Sequence, residues 1–463
     1  MTSTSRSRCF GYHQSLTKLL GVLVGGIMLV QSVTDLEKLQ TRIETEASVV
    51  VPIFVDQNLH PAANQLSSLH ILIDQDYYCV PLNHPDAVPM TISLENAFKV
   101  ITLYKREILH SFKVPQERVH DVASILHLSS KSIPEIREYY TPIITRTLQQ
   151  FQFKNLHLSV PITMWMDYGR KLTKFVRENF YTEIPDGYEF ISNVVIPTLT
   201  TIEKSGIAVN PTILTEHFGD VKKYITNNTI YSEYNPYTAT GRPSNKYGGI
   251  NFAALNKNDG TRQSFISRYG EDGLLIQFDY EAFHLRLVAA QIGYELPETS
   301  VHTFLAQQYY GKQEVNPDEY EASKARTFAL MYGMSEDFGG VEFFHKVRQY
   351  SQQLWEVYRN LLSVKTNTGK RIIVDEPSAN KVFNYSVQWL ETETALQNVA
   401  KVCELLNGKL TKPILYTYDA ILLDLHRSET ALLPRIKHLL EEGGYPTRMY
   451  KGVNYNQLEM VKI

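Results

Sequence analysis

The sequence predicts a chain of mixed α/β and α+β character, on three observations. Helix and strand patterns alternate over 463 residues with no fixed-period repeat and no low-complexity tract. Between Ser48 and Leu82 the runs Val49-Val50-Val51, Ile53-Phe54-Val55, Leu69 to Ile73 and Tyr77 to Val80 are short, β-branched or aromatic, and separated by polar turns, as in a small sheet. Far downstream, two apolar strand patterns, Leu274 to Tyr280 and Pro413 to Leu423, each carry a carboxylate. The length suits two or three domains, and 43% hydrophobic residues are enough to pack a core in each.

Taken in order, residues 1–30 read as a leader. Its apolar run Leu19 to Val30 follows Arg6 and Arg8 in the layout of a secretory signal. The run is about 12 residues, against the roughly 20 that span a bilayer, and no small-residue cleavage site precedes Asp35. A buried strand or helix of the first domain is therefore expected, with no membrane contact; a membrane-tethered factor is the alternative. Cys9, Cys79 and Cys403 lie far apart without histidines at ligand intervals, which excludes a disulfide framework or structural zinc site and places the chain in a reducing, cytoplasmic setting. Helical patterns dominate from Leu94 to Phe180, and Pro185-Asp186-Gly187 marks the main boundary, giving a first domain over 31–185.

The second unit carries the chemistry. A net charge of −3 gives no long-range attraction to a polyanion, so any such contact must come from local basic stripes. From Arg242 to Arg268, five cations (Arg242, Lys246, Lys257, Arg262, Arg268) face one acid, Asp259, interleaved with Tyr247, Phe252 and Phe265. A solvated surface loop has the same composition, so the elements downstream of it decide between the two readings.

The strand Leu274 to Tyr280 ends on the acid Asp279, and the strand Pro413 to Leu423 holds Asp419 in its middle. A lone acid in an apolar strand is costly unless paired or metal-bound. Either acid alone could simply hydrogen-bond a turn; two such strands suit a phosphoryl-transfer site with two metals about 3.5–4 Å apart. Asn316-Pro317-Asp318-Glu319 opens a helix with an N-cap, a proline at the first helical position and a capping box. Lys324, Phe328 and Tyr332 follow at i+4 spacing on one face, suited to a triphosphate with its base and sugar, or equally to an amphipathic helix with two core rings.

The order and wording of these elements resemble family A DNA polymerases, the group of bacterial DNA polymerase I and many phage replicative enzymes, from about Val195 to the C-terminus. Thr238-Ala239-Thr240-Gly241-Arg242-Pro243-Ser244 is similar to the family's T-x-T-G-R-[LP]-S, and Asp279 to Arg286 to its motif A, D-Y-S-Q-I-E-L-R. Lys324 to Gly333 reads K-x-x-x-F-x-x-x-Y-G, as in motif B. Asn384 to Gln388 with Glu393 resembles N-x-P-I-Q-G-x-x-x-D, and Tyr418-Asp419-Ala420 stands where motif C has H-D-E. Departures are His284 at the position of the steric-gate glutamate, Tyr320 in place of the motif B arginine, and Trp389 in place of a glycine, which would narrow the template-side surface.

The resemblance implies a right-hand polymerase over 186–463: reduced thumb 186–240, palm 241–300, fingers 301–370, and palm again 371–463. It implies two Mg²⁺ held by Asp279 and Asp419, with Lys324 neutralising the developing charge. Phe328, Tyr332, His284 and Tyr280 would bind the incoming dNTP, with His284 gating the ribose by bulk. Arg242, Arg286, Asn384 and Gln388 would contact primer-template DNA. The short stretch from Pro211 to Tyr234 implies a weak grip and distributive synthesis, aided by a processivity factor. More faintly, Val33 to Leu39, the strands from Ser48, and Tyr78 to Leu82 resemble the family's RNase H-like 3′ to 5′ exonuclease domain. That domain would be degenerate: Val49 to Val55 lacks an acid, and Asp35-Leu36-Glu37 reads as a capped helix start. The alternatives are a single-subunit phage-type RNA polymerase, against which the T-x-T-G-R segment and Phe328 speak, and a catalytically impaired primer-template-binding protein.

Overall fold

The computed structural model describes residues 26–56, 59–131, 133, 160–180, 183–333 and 341–461. The β-branched runs of the first part form six strands: β1 (Ile27–Leu29), β2 (Ala47–Phe54), β3 (Leu66–Ile73), β4 (Asp76–Pro81), β5 (Lys99–Thr102) and β6 (Val119–Asp121). Their order is β1-β4-β3-β2-β5-β6; β2, β3 and β4 are antiparallel, while β5 runs parallel to β2 and β6 to β5. Alternate residues of β2 face opposite ways. Val49, Val51 and Ile53 pack on Trp165, Tyr168 and Leu172, whereas Val50 packs with Leu39, Ile43 and Ile108.

Two expectations change here. The runs 49–51 and 53–55 belong to one strand, and Pro52 sits inside it because β5 pairs only with Ala47, Ser48 and Val49, leaving that edge free further on. The region expected to be helical from Leu94 contains β5 and β6, which at 4 and 3 residues are too short to show a period. The helices are α1 (Val33–Thr45), α2 (Lys105–Ser111), α3 (Val122–Leu128) and α4 (Ile162–Phe180). Gly169 lets α4 cross β3 closely, since a Cβ there would lie 2.2 Å from His70 Nδ1.

Of the apolar run 19–30, only residues 26–30 are described; β1 pairs parallel with β4 and Val30 is buried, while the rest of the leader, with Cys9, lies outside the described residues. Among the described residues no helix is long and apolar enough to cross a membrane, and Cys79 and Cys403 are buried free thiols.

Past Gly187, α5 (Ile196–Ser205) leads to a short lobe. Its helix α6 (Pro211–Phe218) places Leu214 with Ile207, Val221 and Ile230 against Leu275, Leu415 and Leu422, so this part of the segment expected as a reduced thumb lies packed on a face of the following sheet. That sheet is antiparallel, built from β7 (Gly273–Tyr280), β8 (Lys412–Tyr416), β9 (Ala420–His426), β10 (Thr447–Gly452) and β11 (Glu459–Val461) in the order β8-β9-β7-β10-β11. Between β7 and β8 the chain makes α7 (Phe283–Gln291), α8 (Val301–Tyr310), α9 (Pro317–Met331), α10 (Glu342–Leu361) and the long α11 (Ala379–Leu405); α12 (Leu433–Leu440) follows β9. Leu285, Leu305, Leu330 and Phe343 form the core of a helical lobe, while Phe278, Ile421, Leu396 and Ile436 share the core behind the sheet.

Candidate active site

Because β7 and β9 pair antiparallel with Asp279 opposite Ala420, Asp419 falls next to Asp279 across the ladder, and the Tyr280 N–H donates to the Asp419 carbonyl at 2.8 Å. Asp419 is not mid-strand as its pattern suggested. It occupies the hairpin turn between β8 and β9, where Tyr418 takes a left-handed φ of 63°. Thr417-Tyr418 carries no glycine or asparagine, so the strand pattern ran through the turn unbroken.

Burial pushes the Asp419 carboxyl up to about 7, and the nearby Asp279 and Glu391 add to the effect. Burial also raises Asp279, against the lowering influence of Lys257, Arg448, the Gln277 amide and Lys324. Two neighbouring desolvated carboxylates form a hard oxygen donor set in need of positive charge, which fits divalent cations such as Mg²⁺.

Both acids open into a cavity of about 440 Å³ whose lining includes Lys324, Phe328, Tyr332 and His284. Helix α9 forms as expected: Asn316 accepts from the Glu319 N–H at 2.9 Å while the Glu319 carboxylate accepts from the Asn316 N–H at 3.1 Å. Phe328 is 43% exposed, which marks its ring as a cavity wall rather than core.

The far wall is a polar chain. The Tyr332 hydroxyl meets His284 Nδ1, and His284 Nε2 lies 2.9 Å from Glu391 Oε1. Arg242 grips Glu391 with two bonds, Nε to Oε2 at 2.5 Å and Nη2 to Oε1 at 3.0 Å, and lays its guanidinium 4.8 Å from the Tyr418 ring centroid. Burial disfavours ionised Glu391, yet His284 and Arg242 outweigh it and hold the carboxyl below its ordinary value.

Glu391 was not singled out from the sequence, which pointed instead to Glu393. The Glu393 carboxylate accepts from the Asn367 and Thr368 N–H groups and caps that turn. The signal for Glu391 was its place on the α11 face of Asn384 and Gln388, at i+7 and i+3. Arg448 and His302 also line the cavity and were missed; Arg448 pairs in register with Asp279 and reaches Glu281 at 3.2 Å.

Other expected residues stand elsewhere. The Tyr280 side chain alternates away from Asp279 into the core, stacked 4.1 Å from Phe283 with its hydroxyl donating to the Leu440 carbonyl at 2.7 Å. Arg286 is buried and clamps Glu281 at 2.7 Å and the Pro297 and Thr299 carbonyls at 2.9 and 3.0 Å, a structural tie within the protein. Asn384 and Gln388 lie on α11 outside the cavity lining. Trp389 narrows no surface: it is buried beneath Gly241. In the basic loop, Lys257 and Arg262 reach a second cavity of about 170 Å³ that also borders Asp279, whereas Arg268 is spent on buried Asp424 at 2.7 Å.

In the N-terminal sheet, β2 carries no acid, and Ser32 caps α1 by accepting from the Asp35 N–H at 3.1 Å, so Asp35-Leu36-Glu37 is a capped helix start. Among the described residues the clustered potential ligands are His60, His110 and Glu203, at the junction of α2 and α5. There Glu203 already accepts from Arg106 at 2.8 Å, His110 at 2.7 Å and the Tyr234 N–H at 2.7 Å.

No protein-family model matches the chain. A DNA polymerase of Bacillus phage SP01 is 24% identical over 278 residues, 48% of this chain, and the match spans 30% of that protein's length. Among solved structures, the POL domain of Pol1 from M. smegmatis, in complex with DNA primer-template and dNTP, matches with a TM-score of 0.67 and 14% identity over 93% of this chain and 99% of that one. The chain thus shares the fold of that POL domain and, over part of its length, is similar in sequence to a phage DNA polymerase.

Proposed function

We propose that the chain is a DNA-templated DNA polymerase that adds deoxynucleotides to a primer 3′ end. The observation that carries this reading is the pairing of Asp279 with Asp419 across adjacent strands, facing a cavity walled by Lys324 and Phe328. Two Mg²⁺ held by these acids would activate the primer 3′-hydroxyl and neutralise the triphosphate and leaving pyrophosphate. Lys324, one turn before Phe328, would offset charge on the transferring phosphate. The exposed Phe328 ring offers a face to the incoming sugar and base, with His284 and Tyr332 across from it. Arg242, held rigid by Glu391, meets the primer terminus, and Asn384 and Gln388 meet the paired strands.

The strand order of the N-terminal sheet suits an exonuclease-like fold, and its acid-free β2 supports loss of that chemistry. With one 8-residue helix in the lobe where a thumb would stand, synthesis is distributive and gains from a processivity partner.

The test is extension of a labelled primer with Mg²⁺ on four templates differing in the first unpaired base, each given the four dNTPs singly. Incorporation that follows the template supports the reading; folded protein that extends none of them refutes it.

A further inference from the structure

A continuous hydrogen-bonded chain crosses from the helical lobe to the sheet at the cavity: Tyr332 at the end of α9, His284 on α7, Glu391 on α11 and Arg242 on the loop before the sheet. Glu391 is its centre and its buried member. Its bidentate grip on Arg242 keeps it a carboxylate and fixes the guanidinium beside His284 Nε2, which lies 2.9 Å from Glu391 Oε1. Arg242 Nη2 carries two hydrogens, one going to Glu391 Oε1 at 3.0 Å and the other to His284 Nε2 at 2.9 Å. His284 Nδ1 then carries the ring hydrogen and donates it to the Tyr332 hydroxyl oxygen. Both ring nitrogens are thereby committed, and the imidazole plane is fixed on the cavity side. Neither Tyr332 nor Arg242 can fix that plane alone, because an imidazole with one anchor still turns about its Cβ–Cγ bond.

We infer that Glu391 is the positioning residue for sugar selection, holding His284 where a 2′-hydroxyl on the incoming nucleotide would have to fit. This rests on the polymerase reading above and assigns its sugar specificity to a carboxylate on α11 acting through His284.

The experiment measures kcat/KM for dNTP and rNTP in primer extension by the full chain, as wild type, E391A, E391Q, H284A and H284A/E391A. The dNTP preference is expected to fall about ten- to a hundredfold in E391A, the size of losing a charge-assisted positioning contact. H284A is expected to fall as far, the double variant no further, and E391Q, which still offers an acceptor to Arg242, is expected to keep most of the preference. Binding of dNTP and rNTP to the protein on a dideoxy-terminated primer-template gives the same comparison without chemistry. An unchanged preference in E391A, or losses that add in the double variant, overturns the inference alone. A wild type that neither extends primers nor binds nucleotide overturns the polymerase reading and the inference with it.

Discussion

Gly241 and Trp389 are fitted to each other: a Cβ on Gly241 would stand 2.5 Å from the indole, whose N–H donates to the Ala239 carbonyl at 3.1 Å. Gly241 also holds a φ of 79°, where side chains are strained. Gly241→Ala is therefore expected to destabilise the protein by about 2 kcal/mol or more and to displace Arg242, cutting extension with it. Chemical denaturation and primer extension on the same sample check this; wild-type stability in that variant would contradict the packing described.

Phe328 carries no hydroxyl at the edge of the cavity where the resemblance places the 3′ side of the incoming ribose. Discrimination against dideoxynucleotides is expected, and Phe328→Tyr is expected to relax it. The ratio of dideoxy to deoxy incorporation reads this directly, and an unchanged ratio would remove Phe328 from the sugar contact.

Arg268, part of a loop that read as phosphate-binding, instead neutralises Asp424, which also accepts from Ser267 Oγ at 2.5 Å in the sheet interior. Removing one partner of a buried pair leaves the other uncompensated. Arg268→Ala is expected to cost about 3 kcal/mol while leaving the affinity for primer-template, measured at equal folded fraction, unchanged. A large loss of DNA affinity with little loss of stability would reverse that assignment.

The N-terminal sheet is expected to lack excision activity, because β2 bears no acid and Asp35 lies in the first turn of a helix capped by Ser32. A labelled primer with a mismatched 3′ end, incubated with Mg²⁺ or Mn²⁺ and no nucleotides, should keep its length. Steady shortening that disappears in Asp56→Ala would show a working exonuclease.

Local signals were the legible ones. The capped helix α9 and its Lys324-Phe328-Tyr332 face depend on spacing and caps within one segment, and both were readable. Asp279 was placed correctly because an acid at the end of an apolar strand is itself a local anomaly. Asp419 was found but misplaced, since its turn uses Thr417-Tyr418 rather than glycine or asparagine. Glu391 escaped because a glutamate in a helix looks solvated until Arg242, 149 residues away, closes on it. Arg286 and Tyr280 were misassigned for a related reason: a motif fixes the residue type, while the helix phase and strand alternation fix which way it points. The strands β5 and β6 are recognisable only through pairing, β5 with β2 and β6 with β5, which no short window contains.

The paired acids are the centre of the proposed chemistry, and the most direct measurement is single-turnover primer extension by Asp279→Asn and Asp419→Asn beside the wild type, with primer-template affinity recorded for each. Each variant should bind primer-template as the wild type does and lose extension by several orders of magnitude, the scale of removing a ligand that stabilises the transferring phosphate. Extension at a near-normal rate by either variant would contradict the site.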